Sequence, residues 1–435
     1  MRRLLYITPF FPPQSRVGAL RPLKFVRHLP SLGWDPVVLC DLWPSAETDE
    51  ALVRLVPEQV TVYRDYSRRA RQAEQRRLAA ASGPGATRHE RPRKAAWEPP
   101  ERFNPEIFPL KAHARHMPHA LCAARRVLAR HPCEAVLVNA DPWAALVVGA
   151  VLARQTGLPL VADLRDPWSL CSLRRPLMPR PTRWIVDALE RFVARTASTV
   201  ILNTDTACRA YAVRYADLGS DRFAVIRNHS DEQLIGEGRH PGFDRFTLLF
   251  LGRFRRFVDG APLFGLLAEL RRRGVAAADL QLVVTGGCEF EQGTVASRLG
   301  VDSMVRHQPF VPYRQIGAAM AAADVLTLVN APTDQRIMAK FYDYALSARP
   351  ILAFAENAEF SALMARIGGG AVFGYGEVAA AADYVQRLMR GGRHPTVTRL
   401  GSLADSRTAT VQLVAILERA VSSGPVRRAG APATR

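Results

Sequence analysis

Along most of the chain, short runs of unbroken apolar residues alternate with longer stretches in which apolar positions recur every three to four residues. The first run, LLYI, starts at Leu4 and leads into the proline-bearing loop TPFFPP, after which a helix is expected from Leu20 to Leu32. GWDPVVLC reads as a second strand. EAVLVNADP, the helix AALVVGAVLARQTG and the strand PLVADLRD follow, then a helix near Arg183 to Thr196 and the strands STVILNT and RFAVIRN. Past a Gly/Pro/charged segment, EQLIGEGRHPGFDR, the rhythm restarts. FTLLFLG, LQLVVTGG, MVRHQPFV, DVLTLVN and PILAFA are its strands; APLFGLLAELRRRG, IGAAMAAA and stretches near Phe290 to Leu299 and Ile337 to Leu346 are its helices. Strands that are apolar throughout bury both faces, so their alternation with helices predicts parallel sheets covered on both sides.

The expected fold class is therefore α/β, with two Rossmann-like domains. The first spans 1–235 and carries a basic insertion at 64–98; the second spans 240–404, followed by a helix at 405–420 and a disordered tail at 421–435. A length of 435 residues agrees, since single cores seldom exceed about 250–300 residues.

Composition is that of an ordinary globular protein, 48% hydrophobic and 23% charged. The longest apolar run, Ala144 to Ala153, is about half of what a helix needs to cross a bilayer. Pro9, Pro12 and Pro13 cut the apolar start too short for a signal peptide, and six scattered cysteines lack metal-site or disulfide spacing, so a cytoplasmic setting is expected. The net charge of +19 comes almost wholly from arginine, because Lys24, Lys94, Lys111 and Lys340 are the only lysines. Between Arg64 and Lys94, ten basic residues face three acidic ones, which reads either as a solvated excursion or as a patch resting on anionic lipid at the inner face of a membrane. No nucleic-acid partner is expected.

In open parallel sheets, ligands bind beyond the carboxyl ends of the strands, where loops and helix N-termini offer backbone N–H groups. Gly18 in PFFPPQSRVGALRP permits close backbone approach, or is plainly structural; Arg16 or Arg21 could meet phosphate there. DLRDPW puts Asp163, Arg165 and Asp166 at one strand end, and VNADPW puts Asn139 and Asp141 at another. No Asp-x-Asp, His-x-x-x-His or mixed Cys/His spacing suggests a metal.

YITPFFPPQSRVGALRPLKFVRHLPSLGWDPVVL, VADLRDPW, LFLGRF and AKFYDYALSARPIL occur in the order seen in GT-B glycosyltransferases, and the chain resembles their family four. The most specific part, KFYDYALSARPIL, is similar to the family's K-x-x-E-Y-L-A-x-G-x-P-I-L. The resemblance implies two sheets facing a cleft, a nucleotide-diphosphate sugar held mainly by the C-terminal domain, a glycan or lipid-linked acceptor on the N-terminal one, and neither cofactor nor metal. It places Asp343 where the family has a ribose-binding Glu, with Lys340 on the same helical face to neutralise diphosphate. A surface ion pair between the two is the alternative. Arg253 matches the family's phosphate-clamping arginine, with Arg255 or Arg256 beside it, or else these form a solvated cluster. On the acceptor side the resemblance implies Asp166 as the group orienting or deprotonating the acceptor hydroxyl, with Arg165 holding an anionic group; capping by Asp166 and packing by Trp168 is the structural alternative.

Three departures stand out. Gln335 replaces the family's other glutamate, Asp259 stands where lysine is common, and Asn228-His229-Ser230-Asp231 lacks the glycine of N-G-x-D. The reading is a retaining, metal-independent transferase for an envelope or exported glycan. A nucleotide-sugar epimerase of the same fold and a catalytically impaired binding relative are the alternatives.

Overall fold

The structure, a computed structural model, describes residues 1–15, 17–42, 48–68, 70, 72, 114–140, 142–236, 239–254, 258–286, 290–391 and 405–424. Most of the expected basic insertion and of the expected tail lie outside the described residues. The chain forms two compact units, one of Met1–Arg227 with Ser406–Arg435, the other of Asn228–Asp405.

The first unit is a seven-stranded parallel sheet: β1 (Arg2–Ile7), β2 (Trp34–Leu39), β3 (Thr61–Tyr63), β4 (Ala135–Asn139), β5 (Leu160–Arg165), β6 (Thr199–Leu202) and β7 (Phe223–Val225), in the order β3-β2-β1-β4-β5-β6-β7. Both faces are buried, as the unbroken apolar runs demand. Leu5, Ile7, Val136 and Val138 pack under α2 (Met117–Arg130), α3 (Ala144–Thr156), α4 (Arg180–Thr196) and α5 (Asp205–Arg214), through Val127, Leu146, Val193 and Tyr211. Leu4, Tyr6, Leu137, Val161 and Ile201 face the other way. They are covered by Phe25 of α1 (Val17–His28) and by Leu413, Ile416 and Leu417 of α13 (Ser406–Ser422). The C-terminal helix thus completes the first unit, where the His28 ring meets Ser406 Oγ at 2.8 Å.

The second unit is a six-stranded parallel sheet in the order β10-β9-β8-β11-β12-β13. Its strands are β8 (Phe246–Phe250), β9 (Leu280–Thr285), β10 (Val305–Gln308), β11 (Val325–Val329), β12 (Ile351–Phe354) and β13 (Gly370–Phe373). Its helices are α6 (Glu232–Ile235), α7 (Ala261–Arg272), α8 (Phe290–Arg298), α9 (Ile316–Ala322), α10 (Ala339–Tyr344), α11 (Ala358–Ile367) and α12 (Val378–Met389). Leu267 of α7 and Val385 of α12 close one core over Leu248, Leu282 and Leu352. The unit begins at Asn228, ahead of the linker expected near 240, because Asn228 Nδ2 donates to Ile337 O and Ser230 Oγ to Asp343.

The sequence reading did not anticipate α2, α5, α11, α12, β3 or β13, nor α6, which falls in the segment read as a linker. The two strands are only three and four residues long, and α5, DTACRAYAVR, has scarcely any amphipathic pattern to read. In each sheet the strand order reverses once, between β1 and β4 and between β8 and β11. In open parallel sheets the loops leaving the strands on either side of such a reversal diverge, and ligands usually take that position.

Candidate functional site

In the second unit, β8 runs out at Phe250 and the chain turns at Gly252, whose φ of 138° an L side chain rarely adopts. A Cβ here would lie 2.7 Å from Lys340 Nζ, so glycine is what lets the ammonium rest against the backbone. The same ammonium sits 4.0 Å from the centre of the Phe250 ring, a cation–π seat that holds it at the strand end. Arg253 Nε donates to Gly286 O at 3.0 Å, which ties the turn after β8 to the turn after β9. A Cβ on Gly286 would meet Gly252 C at 3.1 Å, so these two turns approach as only glycines allow. Arg253 is exposed, and its remaining guanidinium donors have no partner among the described residues. Two cations, Lys340 and Arg253, therefore flank one strand end, an arrangement suited to a diphosphate. Arg256 lies outside the described residues, as does Arg255.

Asp343 on α10 is 7% exposed, and its Oδ1 already accepts from Ser230 Oγ at 2.5 Å and Tyr313 OH at 2.8 Å. Burial and then the neighbouring Asp343 carboxylate push the Tyr313 hydroxyl well above its ordinary pKa, so it stays a donor. These bonds orient Asp343; any diol it takes must use its remaining lone pairs. Gln335 is exposed on the loop between β11 and α10. That loop is stiff around it: Arg336 grips Asp334 through two bonds of 2.8 Å, and Asn330 Nδ2 donates to Asp334 O and Arg336 O. Asp259, the departure from lysine, accepts from Ala261 N at 2.9 Å, within the first turn of α7, so its carboxylate secures the helix start.

In the first unit, Arg165 at the end of β5 has φ 59°, unlike every other non-glycine among the described residues. The pairing of β5 with β6 shifts register between Asp163 and Arg165, and this bulge turns the chain. A side chain held in the left-handed region costs roughly 1–2 kcal/mol, and such strain concentrates at functional positions. Beyond it, Asp166 accepts from Arg165 Nη2 at 3.1 Å and from Asn203 Nδ2 at 2.9 Å, so both carboxylate oxygens are aimed while remaining partly exposed. Trp168 also packs, buried and stacked on Trp143 at 5.3 Å.

Two side chains expected at phosphate or acceptor contacts are engaged internally in this structure. Arg21 is 4% exposed and donates twice to Asp163, at 2.8 and 3.1 Å, and to the carbonyls of Ile226 and Arg227. Asn139 Nδ2 donates to the same Asp163 at 2.8 Å, which turns it inward. Gly18 at the start of α1 has its own packing reason, for a Cβ would stand 3.0 Å from the Phe10 ring. Asp141 and Arg16 lie outside the described residues.

Sequence reasoning missed Asn203, Tyr313 and Gly286. Asn203 stands just past β6 as Asn139 stands at the end of β4, so a comparison of strand ends could have found it. Tyr313 carries no local signal. The side-chain amide of Gln14, the Ser15 hydroxyl and Oδ1 of Asn203 are buried yet lack a hydrogen-bond partner among the described residues. They lie in the segments after β1 and β6, and unsatisfied polar atoms there are places a bound ligand would complete. Among the described residues no group of three or more His, Cys, Asp or Glu could hold a metal ion, and no helix is long and apolar enough to cross a membrane.

The chain has the GT-B fold. It aligns with the crystal structure of Anabaena HepE in complex with UDP-glucose at a TM-score of 0.59 and 16% identity, covering 97% of this chain and 99% of that one. A putative UDP-N-acetylglucosamine 2-epimerase from Listeria monocytogenes aligns at a TM-score of 0.60 and 10% identity, covering 98% of each. In sequence, the chain is 24% identical over 334 residues to D-inositol 3-phosphate glycosyltransferase 1 of Catenulispora acidiphila, covering 71% of this chain and 78% of the relative. It is 26% identical over 250 residues to the D-inositol 3-phosphate glycosyltransferase of an Arthrobacter species, covering 53% and 56%. No family profile matches the chain.

Proposed function

We propose that this GT-B glycosyltransferase, which resembles family four, transfers a sugar from a nucleotide-diphosphate donor to a glycan or lipid-linked acceptor of a cell envelope or exported polysaccharide, working as a peripheral protein at an anionic membrane surface. The observation that carries the reading is the seating of Lys340 against Gly252 beside Arg253, at the carboxyl ends of β8 and β9. As the bond from the anomeric carbon to the diphosphate oxygen breaks, negative charge grows on the leaving nucleotide. Lys340 and Arg253 stabilise that charge in place of a metal ion, while Asp343 takes a ribose hydroxyl. The acceptor oxygen forms the new bond, and Asp166, held by Arg165 and Asn203, orients the hydroxyl or takes its proton. Gln335 is assigned to ordering donor-sugar hydroxyls through hydrogen bonds, and the family likeness favours retention at the anomeric carbon.

Calorimetry against a panel of nucleoside diphosphates tests the donor half. Lys340→Ala should weaken the preferred one by roughly 10- to 100-fold, the size expected for a charge-assisted bond. Unchanged affinity in a folded variant would remove the diphosphate assignment. Inositol phosphate, which the names of the two sequence relatives carry, belongs among the acceptors tried. The second reading, epimerisation, is favoured by the epimerase among the structural neighbours and predicts isomerised donor without any acceptor. Product analysis separates the two.

A further inference from the structure

The charged and apolar groups on the outer face of α4 are not used by the transfer chemistry. Trp184 is 74% exposed and Ile185 46%, an unusual outlay of apolar surface for one helix turn. Arg180, Trp184, Ala188, Arg191 and Arg195 follow one another at spacings of three and four residues, so they form a single stripe. Of the two acidic residues on α4, Glu190 is buried on the opposite side and Asp187 is neutralised by Arg175 and Arg214. Asp217 alone among the described residues balances Arg191 and Arg195, at 2.6 and 3.6 Å. Among the described residues Arg180 has no partner and Arg183 bonds only the carbonyls of Met178 and Pro176. The stripe therefore carries a surplus of positive charge around one large amphipathic ring. A depression of about 470 Å³ lined by Leu170, Cys171, Arg175 and Arg183 includes Arg183, the residue before Trp184.

We propose that this stripe of α4, centred on Trp184, docks on the surface of an anionic lipid bilayer. The indole enters the headgroup region with its N–H still hydrated, and the arginines pair with lipid phosphates. Its apolar area is too small to anchor alone, so attachment needs both the ring and the charge, and is reversible. The inference rests on the reading above only for its purpose, which is to bring a lipid-linked acceptor to the Asp166 loop.

The test is co-sedimentation of the full chain with vesicles of phosphatidylcholine, alone and with about a third phosphatidylglycerol, without donor or acceptor. Binding is expected only to the anionic vesicles and should fall with added salt. Trp184→Ser should lower the partition coefficient at least about tenfold, and Arg180→Ala about fivefold. Leu299→Ser, at another exposed apolar position on the second unit, should leave it unchanged. Melting curves check that each variant is folded. Equal binding by wild type and Trp184→Ser would overturn the assignment, moving it to another basic segment. So would no binding at all, or a loss of self-association in Trp184→Ser with vesicle binding intact. Because no transfer is measured, failure here leaves the transferase reading standing, and failure of that reading leaves vesicle binding standing.

Discussion

At the residue scale, Arg165 is set apart by its backbone, the positive φ of a non-glycine residue at the turn after β5. A Cβ in the left-handed region is unfavourable, yet the bulge between β5 and β6 imposes it and thereby aims Asp166. Arg165→Gly relieves the backbone strain but removes the guanidinium that fixes Asp166 Oδ2. We expect the unfolding midpoint to hold or rise, by up to about 1 kcal/mol equivalent, while turnover falls at least about tenfold. A variant that loses stability and activity in parallel would mark the conformation as structural. At this scale the sequence located residues beside strand ends and said little about what each side chain contacts. Arg21 and Arg165 both read as anion-binding arginines near a strand end. Only the fold buries one on Asp163 and leaves the other partly exposed.

At the scale of elements, α4 and α5 brace the segment that follows β5. Glu190 of α4 is 1% exposed and accepts from Ser169 N, Ser169 Oγ, Tyr211 OH and Tyr215 OH, at 2.7, 2.5, 2.6 and 2.6 Å. Tyr211 OH in turn accepts from Trp168 N. Glu190→Gln would set an amide N–H₂ against buried donors, a loss of about 3 kcal/mol or roughly 10 °C in midpoint by calorimetry. Nearby, burial pushes the Asp187 carboxyl up, but its bonds to Arg175 and Arg214 outweigh this and hold it below the ordinary aspartate value. A depressed folded pKa means the ionised form is favoured by folding. Its contribution is full above the ordinary aspartate pKa and is lost as pH falls through the folded one. Asp187→Asn should therefore lower the midpoint at neutral pH, and the difference from wild type should vanish in strong acid. A difference that persisted in acid would assign the effect to packing.

For the whole molecule, the consequential feature is that the chain crosses into the second unit and returns. Residues after Asp405 cover the face of the first sheet that carries Leu4, Tyr6, Leu137 and Ile201. Leu413, Ile416 and Leu417 are each at most 3% exposed, and removing such side chains costs about 2–5 kcal/mol apiece. That sum rivals the whole stability of a domain, about 5–15 kcal/mol. A chain ended at residue 405 should lose the cooperative transition of its first unit, and a 406–424 peptide added in trans should restore it. Retention of that transition without the helix would refute the account.

The amino-acid order alone determined the two parallel sheets. Apolar runs such as LLYI and DVLTLV can satisfy their backbones and hide both faces in no other common way, so the α/β class followed from a local property. Sequence likewise placed Asp166 and Arg253 just past strands and Lys340 on a helix face with Asp343, because position along an element is also local. What only tertiary structure decided was partnership. Seating Lys340 against Gly252 needs α10 and β8 side by side, and directing Asp343 to Tyr313 joins residues thirty positions apart. The assignment of the last helix to the first sheet bridges a longer gap still. These pairings depend on which surfaces remain uncovered once everything else has packed, and no local window of sequence contains that information.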